Sequence, residues 1–284
     1  VFGIGCSFTK HGMSMNIPAG KTMIQATNDP RDINKDYNIN FPIVGDARLV
    51  LRQMIEACRE VVGTNRRGDD SVAREIKSER EAWLSEWRHK LTDGQQPINP
   101  YRVMWDFMQA IPPEDAIVTH DSGSPRDQLM PFYRSNGPRT YLGWGKSHGL
   151  GTGLGLTIGA KLASPEKVCV NFMGDAAFGM VGLDFETAVR SGVPIITVVL
   201  NNSTMAIETQ AMATSHQLFN TRDLGGNYAD MGRAMGGYAE RIEDPAQVIP
   251  AFQRARRVTE QEGNAVLLEF ITSSETEFSH RRAF

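Results

Sequence analysis

The sequence predicts an α/β fold in which parallel sheets are covered by helices on both faces. Short apolar runs alternate with helix-length segments along most of the 284 residues, and this alternation is typical of parallel sheets. Polar residues follow several of the apolar runs directly, as at Asp121, Asp175 and Asn202. Because ligands of such sheets bind at the carboxyl ends of the strands, these positions are the first candidates for a functional site.

Residues 1–62 are predicted to be the end of a Rossmann-like domain. Strands are expected at 1–7, 22–27 and 42–44, and a helix opens at Gly45-Asp46 with apolar residues at helical spacing. The chain begins without Met, in a strand-like run. We therefore expect it to be a piece of a longer protein.

Residues 63–96 are predicted to be a charged linker helix. Their middle part, 72–91, has helical periodicity, and Trp83 and Trp87 lie about one turn apart on it. We interpret this segment as an amphipathic helix that packs its tryptophans against a neighbouring domain.

Residues 97–272 are predicted to be the main α/β domain, and residues 273–284 a polar carboxyl-terminal tail. In the main domain the alternation of apolar runs and helical patterns is regular. Strands are expected at 116–119, 167–173, 194–200, 238–241 and 265–271, and helices at 101–110, 149–162, 182–191, 229–235 and 245–261.

Composition and charge argue against several classes of protein. The net charge is −3, and the 30 basic residues are scattered among 33 acidic ones, which argues against a nucleic-acid partner. The sequence has no apolar run of the ~18 residues that a membrane span needs, and we recognise no signal peptide. Cys6, Cys58 and Cys169 lack metal-ligand spacing, so we expect reduced, buried thiols in a cytoplasmic protein.

Two polar residues suggest a metal site at one edge of the predicted sheet. Asp175 follows an apolar run, after Gly174, which permits a sharp turn, and Asn202 follows the next run 27 positions later. That interval fits one β-α-β crossover, so adjacent strands would bring both side chains to one edge. Carboxylate and amide oxygens suit Mg²⁺, which commonly completes its shell with phosphate oxygens.

The segment Gly174-Asp175-Ala176, followed by Asn201-Asn202, resembles the Gly-Asp-Gly and Asn-Asn motif of thiamine-diphosphate (ThDP) enzymes. The resemblance implies that Asp175, Asn202 and the main-chain carbonyl of Thr204 bind Mg²⁺. Ala176 departs from the usual Gly. Further contacts with the cofactor are implied for Gly174, Ala176, Ala177 and Ile207.

Two more segments carry this resemblance. Residues 121–124, Asp-Ser-Gly-Ser, end a predicted strand where the family binds the cofactor diphosphate, with the Gly123 amide and the Ser124 hydroxyl as donors. Leu150 stands where the family places a bulky apolar side chain that presses the two cofactor rings together. The His148 carbonyl would accept from the cofactor's exocyclic amine, and its imidazole either reaches the substrate or packs.

The amino-terminal part, through residues 24–30, 33–34 and 44–47, resembles the end of the central domain of acetolactate synthases and acyl-CoA lyases. In those enzymes the domain often holds ADP or FAD, and Asp29 matches a ribose contact. The family also implies an activating Glu in an amino-terminal pyrimidine-binding domain, which is absent from this sequence, and assembly as a homodimer or homotetramer.

The reaction is narrowed by residues around the motif. Gly174–Gly179, with Gly182, Glu186-Thr187 and Arg190, resembles 2-hydroxyacyl-CoA lyases and oxalyl-CoA decarboxylases more than acetolactate synthases. Glu208, six positions after Asn202, resembles the Ile-Glu pair of pyruvate-type decarboxylases. We take Glu208 as the candidate general acid or base, beside Leu150 and His148.

The leading interpretation is therefore a lyase that cleaves a 2-hydroxyacyl-CoA, or a related decarboxylase. The tail is either a frayed end or a lid, in which Arg281 and Arg282 would close over an acyl-CoA substrate. One alternative is an acetolactate-synthase-like carboligase acting on 2-oxo acids. Another is a non-catalytic or regulatory subunit of such an enzyme.

Overall fold

The computed structural model describes residues 1–10, 16–63, 68–143, 149–207 and 212–279. They belong to two compact units, which divide after Ala82. The prediction of an α/β fold with parallel sheets flanked by helices is confirmed in both units. Across these ranges, no helix is both long enough and apolar enough to cross a membrane.

The first unit is built on a three-stranded parallel sheet in the order β1-β2-β3. A helix, α1, follows the third strand, and the Asp46 carboxylate caps it by accepting from the amides of Arg48 and Leu49 at 3.0 and 3.1 Å. The bounds are β1 Phe2–Ile4, β2 Ile24–Thr27, β3 Phe41–Val44 and α1 Ala47–Val62.

The expected apolar face of α1 is largely exposed in this unit. Val50 is buried, but Leu49 and Ile55 are 54% and 50% exposed. The expectation that all three thiols are buried is also wrong, because Cys58 lies exposed on this helix whereas Cys169 is buried. Helical spacing therefore identified the helix but overestimated how much of it packs.

The next helix, α2 (Ser71–Leu91), ends in the second unit in an aromatic cluster. Trp83 stacks on Phe132 with ring centroids 4.5 Å apart, and Trp87 lies 5.2 Å from Tyr101. The predicted docking of both tryptophans is therefore confirmed within this unit.

The second unit has a six-stranded parallel sheet in the order β5-β4-β6-β7-β9-β8. Its central strands are buried along their length because helices cover both faces. The strands are β4 Ala116–His120, β5 Tyr141–Leu142, β6 Val168–Gly174, β7 Ile196–Asn201, β8 Tyr238–Ile242 and β9 Val266–Ile271. The helices are α3 Pro100–Ala110, α4 Ser124–Leu129, α5 Thr152–Ala163, α6 Asp175–Val181, α7 Asp184–Arg190, α8 Ala213–Phe219, α9 Tyr228–Ala234 and α10 Val248–Arg257.

Alternate residues of the strands enter two apolar clusters, one on each face of the sheet. Val118 and Val198 pack in the cluster that contains the buried residues of α3 and α10. Their neighbours Ile117 and Val199 pack in the cluster that contains those of α5 and α7. This alternation packs both helical layers against the sheet and so fixes where the strands end relative to the helices.

The structure differs from the sequence prediction in several short elements. Residues 182–191, expected as one helix, contain α7 only, because α6 begins directly at Asp175 and ends before Gly182. A Cβ at Gly182 would lie 2.6 Å from the Phe178 ring, so this junction requires glycine. The segments α4, α8 and β5 were not predicted, since two to seven residues show too little periodicity to separate a helix or strand from a loop.

Candidate active site

An open cleft of about 550 Å³ lies in the second unit. It is formed at the carboxyl edge of the sheet, where β4, β6 and β7 end. Ten of the residues singled out in the sequence line it: Gly123, Ser124, Leu150, Gly174, Asp175, Ala176, Ala177, Asn202, Thr204 and Ile207.

The other candidate residues lie either in the first unit or outside the described residues. Asp29 belongs to the first unit, and its carboxylate binds Arg31 through Nε at 2.9 Å and through NH2 at 2.7 Å. These hydrogen bonds with Arg31 lower the pKa of Asp29 to about 2. A ribose contact at Asp29 would have to compete with Arg31. The candidates His148, Glu208, Arg281 and Arg282 lie outside the described residues.

The register of β6 and β7 brings the two motif segments together. Gly174 pairs with Leu200, so Asp175 and Asn202 follow adjacent strands at the same edge. The expectation of adjacent strands joined by one crossover is thereby confirmed.

Asp175 has the buried carboxylate that a cation site needs. It is 3% exposed, and its Oδ1 accepts from the amide of Ala176 at 2.8 Å. Its Oδ2 is buried and has no hydrogen-bond partner in the described part of the chain. Burial raises the pKa of Asp175, and the amides of Ala176, Ser203 and Asn202 counteract that rise. A buried oxygen without a partner is costly unless a ligand satisfies it.

The loop after β7 places two further oxygen atoms beside this edge. The Asn202 Oδ1 accepts from the amide of Thr204 at 3.1 Å, and the Thr204 carbonyl accepts from the amide of Ala206 at 2.9 Å. Each of these oxygens has a second lone pair. An isolated β-bridge between Thr204 and Asp223 anchors the loop.

The donor set fits a hard cation that also binds a phosphate ligand. Within the described ranges, no group of three or more His, Cys, Asp or Glu side chains is arranged to hold a metal ion. A metal at Asp175 would therefore depend on the amide and carbonyl oxygens of Asn202 and Thr204 and on oxygens of its ligand. Mg²⁺ bound through one carboxylate and substrate phosphates has this chemistry.

A second buried carboxylate, Asp121, holds the opposite wall of the cleft. Its Oδ1 accepts from the amides of Ser122 and Gly151, both at 2.8 Å, and its Oδ2 accepts from the amide of Gly153 at 3.1 Å. Burial raises the pKa of Asp121, whereas these amides lower it. We call this set of bonds the Asp121 clamp. It joins the loop that contains Gly123 to the start of α5, next to Leu150.

Two glycines allow α5 to approach this closely. Gly151 has φ +92°, and a Cβ there would lie 2.4 Å from Val181. At Gly153 a Cβ would lie 2.4 Å from Asn171 Oδ1 and 3.1 Å from the Asp121 amide nitrogen. The link between these glycines and Asp121 was not predicted from the sequence. A carboxylate at a strand end, before a glycine loop, was the available signal.

The remaining wall comes from residues that sequence analysis did not select. They include Gln128, whose Nε2 donates to the carbonyl of Glu275 at 3.3 Å, and Ser273, whose amide donates to the carbonyl of Ile98 at 2.9 Å. Lys90 binds Glu275 at 2.7 Å and also binds Glu277. Residues 273–279 are therefore docked on the second unit, and the interpretation as a frayed end does not hold for them.

Comparison with known proteins identifies the family. Residues 121–270, more than half of the chain, match the family model described as "Thiamine pyrophosphate enzyme, C-terminal TPP binding domain"; thiamine pyrophosphate is a synonym of ThDP. Over 168 residues the chain is 33% identical to acetolactate synthase large subunit IlvG of Mycobacterium tuberculosis, which covers 58% of this chain and 30% of that protein. Over 297 residues it is 25% identical to sulfoacetaldehyde acetyltransferase of Alcaligenes xylosoxydans xylosoxydans, covering 96% and 48%.

A solved structure shares the fold. The benzoylformate decarboxylase of Polynucleobacter necessarius superimposes with a TM-score of 0.67 at 20% identity, over 92% of this chain and 46% of that one. The chain thus spans about half, or less, of the length of these relatives. With the family model matched across the strands that form the cleft, the chain belongs to the ThDP-dependent enzymes and contains their carboxyl-terminal, cofactor-binding domain.

Proposed function

We propose that the protein containing this chain uses ThDP and Mg²⁺ to form or cleave a carbon–carbon bond next to a carbonyl group. The observation that carries this proposal is the cleft at the sheet edge, where the unpartnered oxygen of Asp175 adjoins the Asn202 loop and Leu150. When bound, ThDP supplies an electron sink at the reacting carbon. The residues of the protein then have to bind and orient the substrate and to transfer protons.

Each part of the cleft has a task in this proposal. Asp175, Asn202 and the Thr204 carbonyl would hold Mg²⁺, and the Gly123 amide and Ser124 hydroxyl would donate to the diphosphate. Leu150 would pack against the cofactor rings. The pyrimidine-binding domain and its activating Glu would come from outside this sequence, with assembly as a homodimer or homotetramer.

The first candidate reaction is cleavage of a 2-hydroxyacyl-CoA or a related decarboxylation. Its support is the sequence around α6 and α7, together with Glu208 as the proton-transfer group. The docking of residues 273–279 on this unit adds support, because the tail then begins at Ser273, which lines the cleft where the cofactor would bind. The tail residues Arg281 and Arg282 would then bind the phosphates of the acyl-CoA.

The second candidate is a carboligase that transfers an acyl group from a 2-oxo acid. Its support comes from the relatives, since several that match this chain are named acetolactate synthases and others sulfoacetaldehyde acetyltransferases. Mass spectrometry of the ligands released from the full-length protein separates the two: ADP favours the lyase, and FAD favours the carboligase. A non-catalytic subunit has less support, because the residues proposed to bind Mg²⁺ are all present.

The assignment of the metal site is tested by Asp175→Ala in the full-length protein. We expect ThDP with Mg²⁺ to stabilise the wild type by about 2.7 kcal/mol at a hundredfold excess over Kd, and to leave the variant unchanged. The cofactor-free variant should unfold at the same temperature as the wild type or higher, because a desolvated carboxylate is removed. Thermal unfolding with and without ligand measures both, and Asp184→Ala, an exposed acid at the start of α7, is the control. If ThDP with Mg²⁺ stabilised Asp175→Ala as much as the wild type, the assignment of the metal site to Asp175 would be wrong.

The choice between the reactions is tested by Glu208→Gln. Cleavage of a 2-hydroxyacyl adduct requires a base to accept the hydroxyl proton, and removal of such a group typically lowers the rate by about 10²–10⁴. We therefore expect that loss in kcat with unchanged ThDP affinity, and no comparable loss in Glu186→Gln, whose side chain on α7 is 45% exposed and pairs with Arg190. A kcat within a few-fold of wild type would favour the carboligase.

A further inference from the structure

A buried glutamate lies on β9, behind the loop that contains Asn202. Glu269 is 0% exposed. Its Oε1 accepts from Nδ2 of Asn201 at 2.7 Å and from Nη1 of Arg241 at 2.9 Å. Its Oε2 accepts from the amide of Ala229 at 2.9 Å. Every bond of this carboxylate is therefore fixed by a neighbouring strand or helix.

Asn201 connects this buried carboxylate to the loop after β7. Its Nδ2 is used by Glu269, and its Oδ1 accepts from the amide of Ser203 at 3.0 Å and from the Ser203 hydroxyl at 3.2 Å. Rotating the amide by 180° would turn an oxygen toward the carboxylate and an NH₂ group toward the Ser203 amide. Glu269 thus determines which way the Asn201 side chain faces.

Ser203 is the residue that needs this support. Its φ is +56°, in the left-handed region that side chains other than glycine seldom adopt. It is exposed to solvent, so packing does not hold it there. It lies between Asn202 and Thr204, whose oxygens make up two of the three protein ligands in the proposed metal site.

We infer that Asn201, oriented by Glu269, is the positioning residue that holds Ser203 in its left-handed conformation and so fixes the oxygens of Asn202 and Thr204 for Mg²⁺. This inference rests on the proposed function, in which those two residues bind the metal. Asn201 itself does not line the cleft, whereas Asn202 does. Its effect would therefore pass through the backbone.

The test measures the Mg²⁺ concentration that gives half-maximal binding of ThDP to the full-length protein, by calorimetry. Asn201→Ala removes the bonds to the amide and hydroxyl of Ser203 but leaves the one from the Leu224 amide to its carbonyl. We expect the variant to raise that concentration about tenfold, which corresponds to the cost of one left-handed residue. Adding Ser203→Gly should restore most of the affinity, because glycine adopts this φ without strain. Asn202→Ala should lose Mg²⁺ affinity whether or not Ser203 is changed to Gly.

A second pair of variants leaves the buried network untouched. Ser203→Val places a β-branched side chain at an exposed left-handed position and should also raise the Mg²⁺ requirement about tenfold. Ser203→Gly alone should stay within about twofold of wild type. These variants decide the question even where Asn201→Ala does not fold.

Three results would overturn the inference. They are wild-type Mg²⁺ affinity in a folded Asn201→Ala, no rescue of that variant by Ser203→Gly, and wild-type affinity in Ser203→Val. Failure of the proposed function has a different signature, because Asp175→Ala and Asn202→Ala would then bind ThDP with the same Mg²⁺ dependence as the wild type.

Discussion

The two walls of the cleft are held by buried polar side chains that work in different ways. Asp121 only accepts, and its three donors are backbone amides. Asn201 both donates and accepts, and a second buried residue, Glu269, selects its orientation. The first arrangement needs two acceptor oxygens and a close backbone, whereas the second needs an oriented amide. The same task therefore places different demands on the sequence.

The largest effect on stability and ThDP affinity is expected where a substitution forces the backbone to move. Gly153→Ala places a Cβ 3.0 Å from the His120 carbonyl carbon and 3.1 Å from the Asp121 amide nitrogen, so α5 has to move away from β4. We expect a loss of about 1–3 kcal/mol in the free energy of unfolding and a large loss of ThDP affinity as the Asp121 clamp breaks.

Urea unfolding and ThDP titration measure these two changes. The matched control is Gly155→Ala, on the same helix, where a Cβ would have no atom within 4 Å. It should be neutral or stabilising by up to about 1 kcal/mol. A Gly153→Ala variant that behaves like this control would show that the close approach does not constrain the site.

A smaller loss of ThDP affinity is expected when the geometry of the clamp is kept and one acceptor is removed. Asp121→Asn turns an NH₂ group toward a backbone amide, which leaves a buried donor unsatisfied at about 1–3 kcal/mol. ThDP should bind more weakly at saturating Mg²⁺, while the Mg²⁺ requirement stays unchanged, because the Asn201 side is intact. Asp115→Asn, just before the same strand and 42% exposed, should change the unfolding free energy by less than about 0.5 kcal/mol. If Asp121→Asn shifts the Mg²⁺ requirement instead, the two walls are coupled.

The smallest effect is expected at the far end of the Glu269 network. Arg241→Met removes one partner of Glu269, but Asn201 and Ala229 remain, and Arg241 is 34% exposed. We therefore expect the free energy of unfolding to fall by about 1–2 kcal/mol, less than the ~3–5 kcal/mol lost when a buried ion pair is broken. The Mg²⁺ requirement should change little. Arg190→Met, which breaks an exposed pair with Glu186, is the control for unfolding by urea. A tenfold change in Mg²⁺ requirement would assign the orientation of Asn201 to Arg241 as well.

Sequence reasoning succeeded where the chemistry lies within one short segment. Asp175 and Asn202 each follow an apolar run directly, and one crossover between parallel strands was enough to bring the two ends together. The loop that contains Gly123 and Ser124 was expected at a strand end in the same way, and it lines the same cleft. The part of the cleft formed by the ends of β4, β6 and β7 could therefore be outlined from the sequence.

It failed where a side chain depends on partners far away in the chain. Asp121 meets Gly151 after 30 positions and Asn201 meets Glu269 after 68, and a local pattern can mark a polar residue at a strand end without identifying its partner. The same limit explains α1, since spacing shows which residues share a face but not whether another layer covers Leu49.

The second unit also closes on itself. The Ile98 amide donates to the carbonyl of Ile271, and the Ser273 amide donates to the carbonyl of Ile98, both at 2.9 Å. The chain therefore enters and leaves the six-stranded sheet at a single point. A linker of a few residues could join these ends with little loss of loop entropy. We expect this unit to tolerate circular permutation or insertion into another protein as a complete module. The reason is that a linker between these adjacent ends would not have to cross any strand.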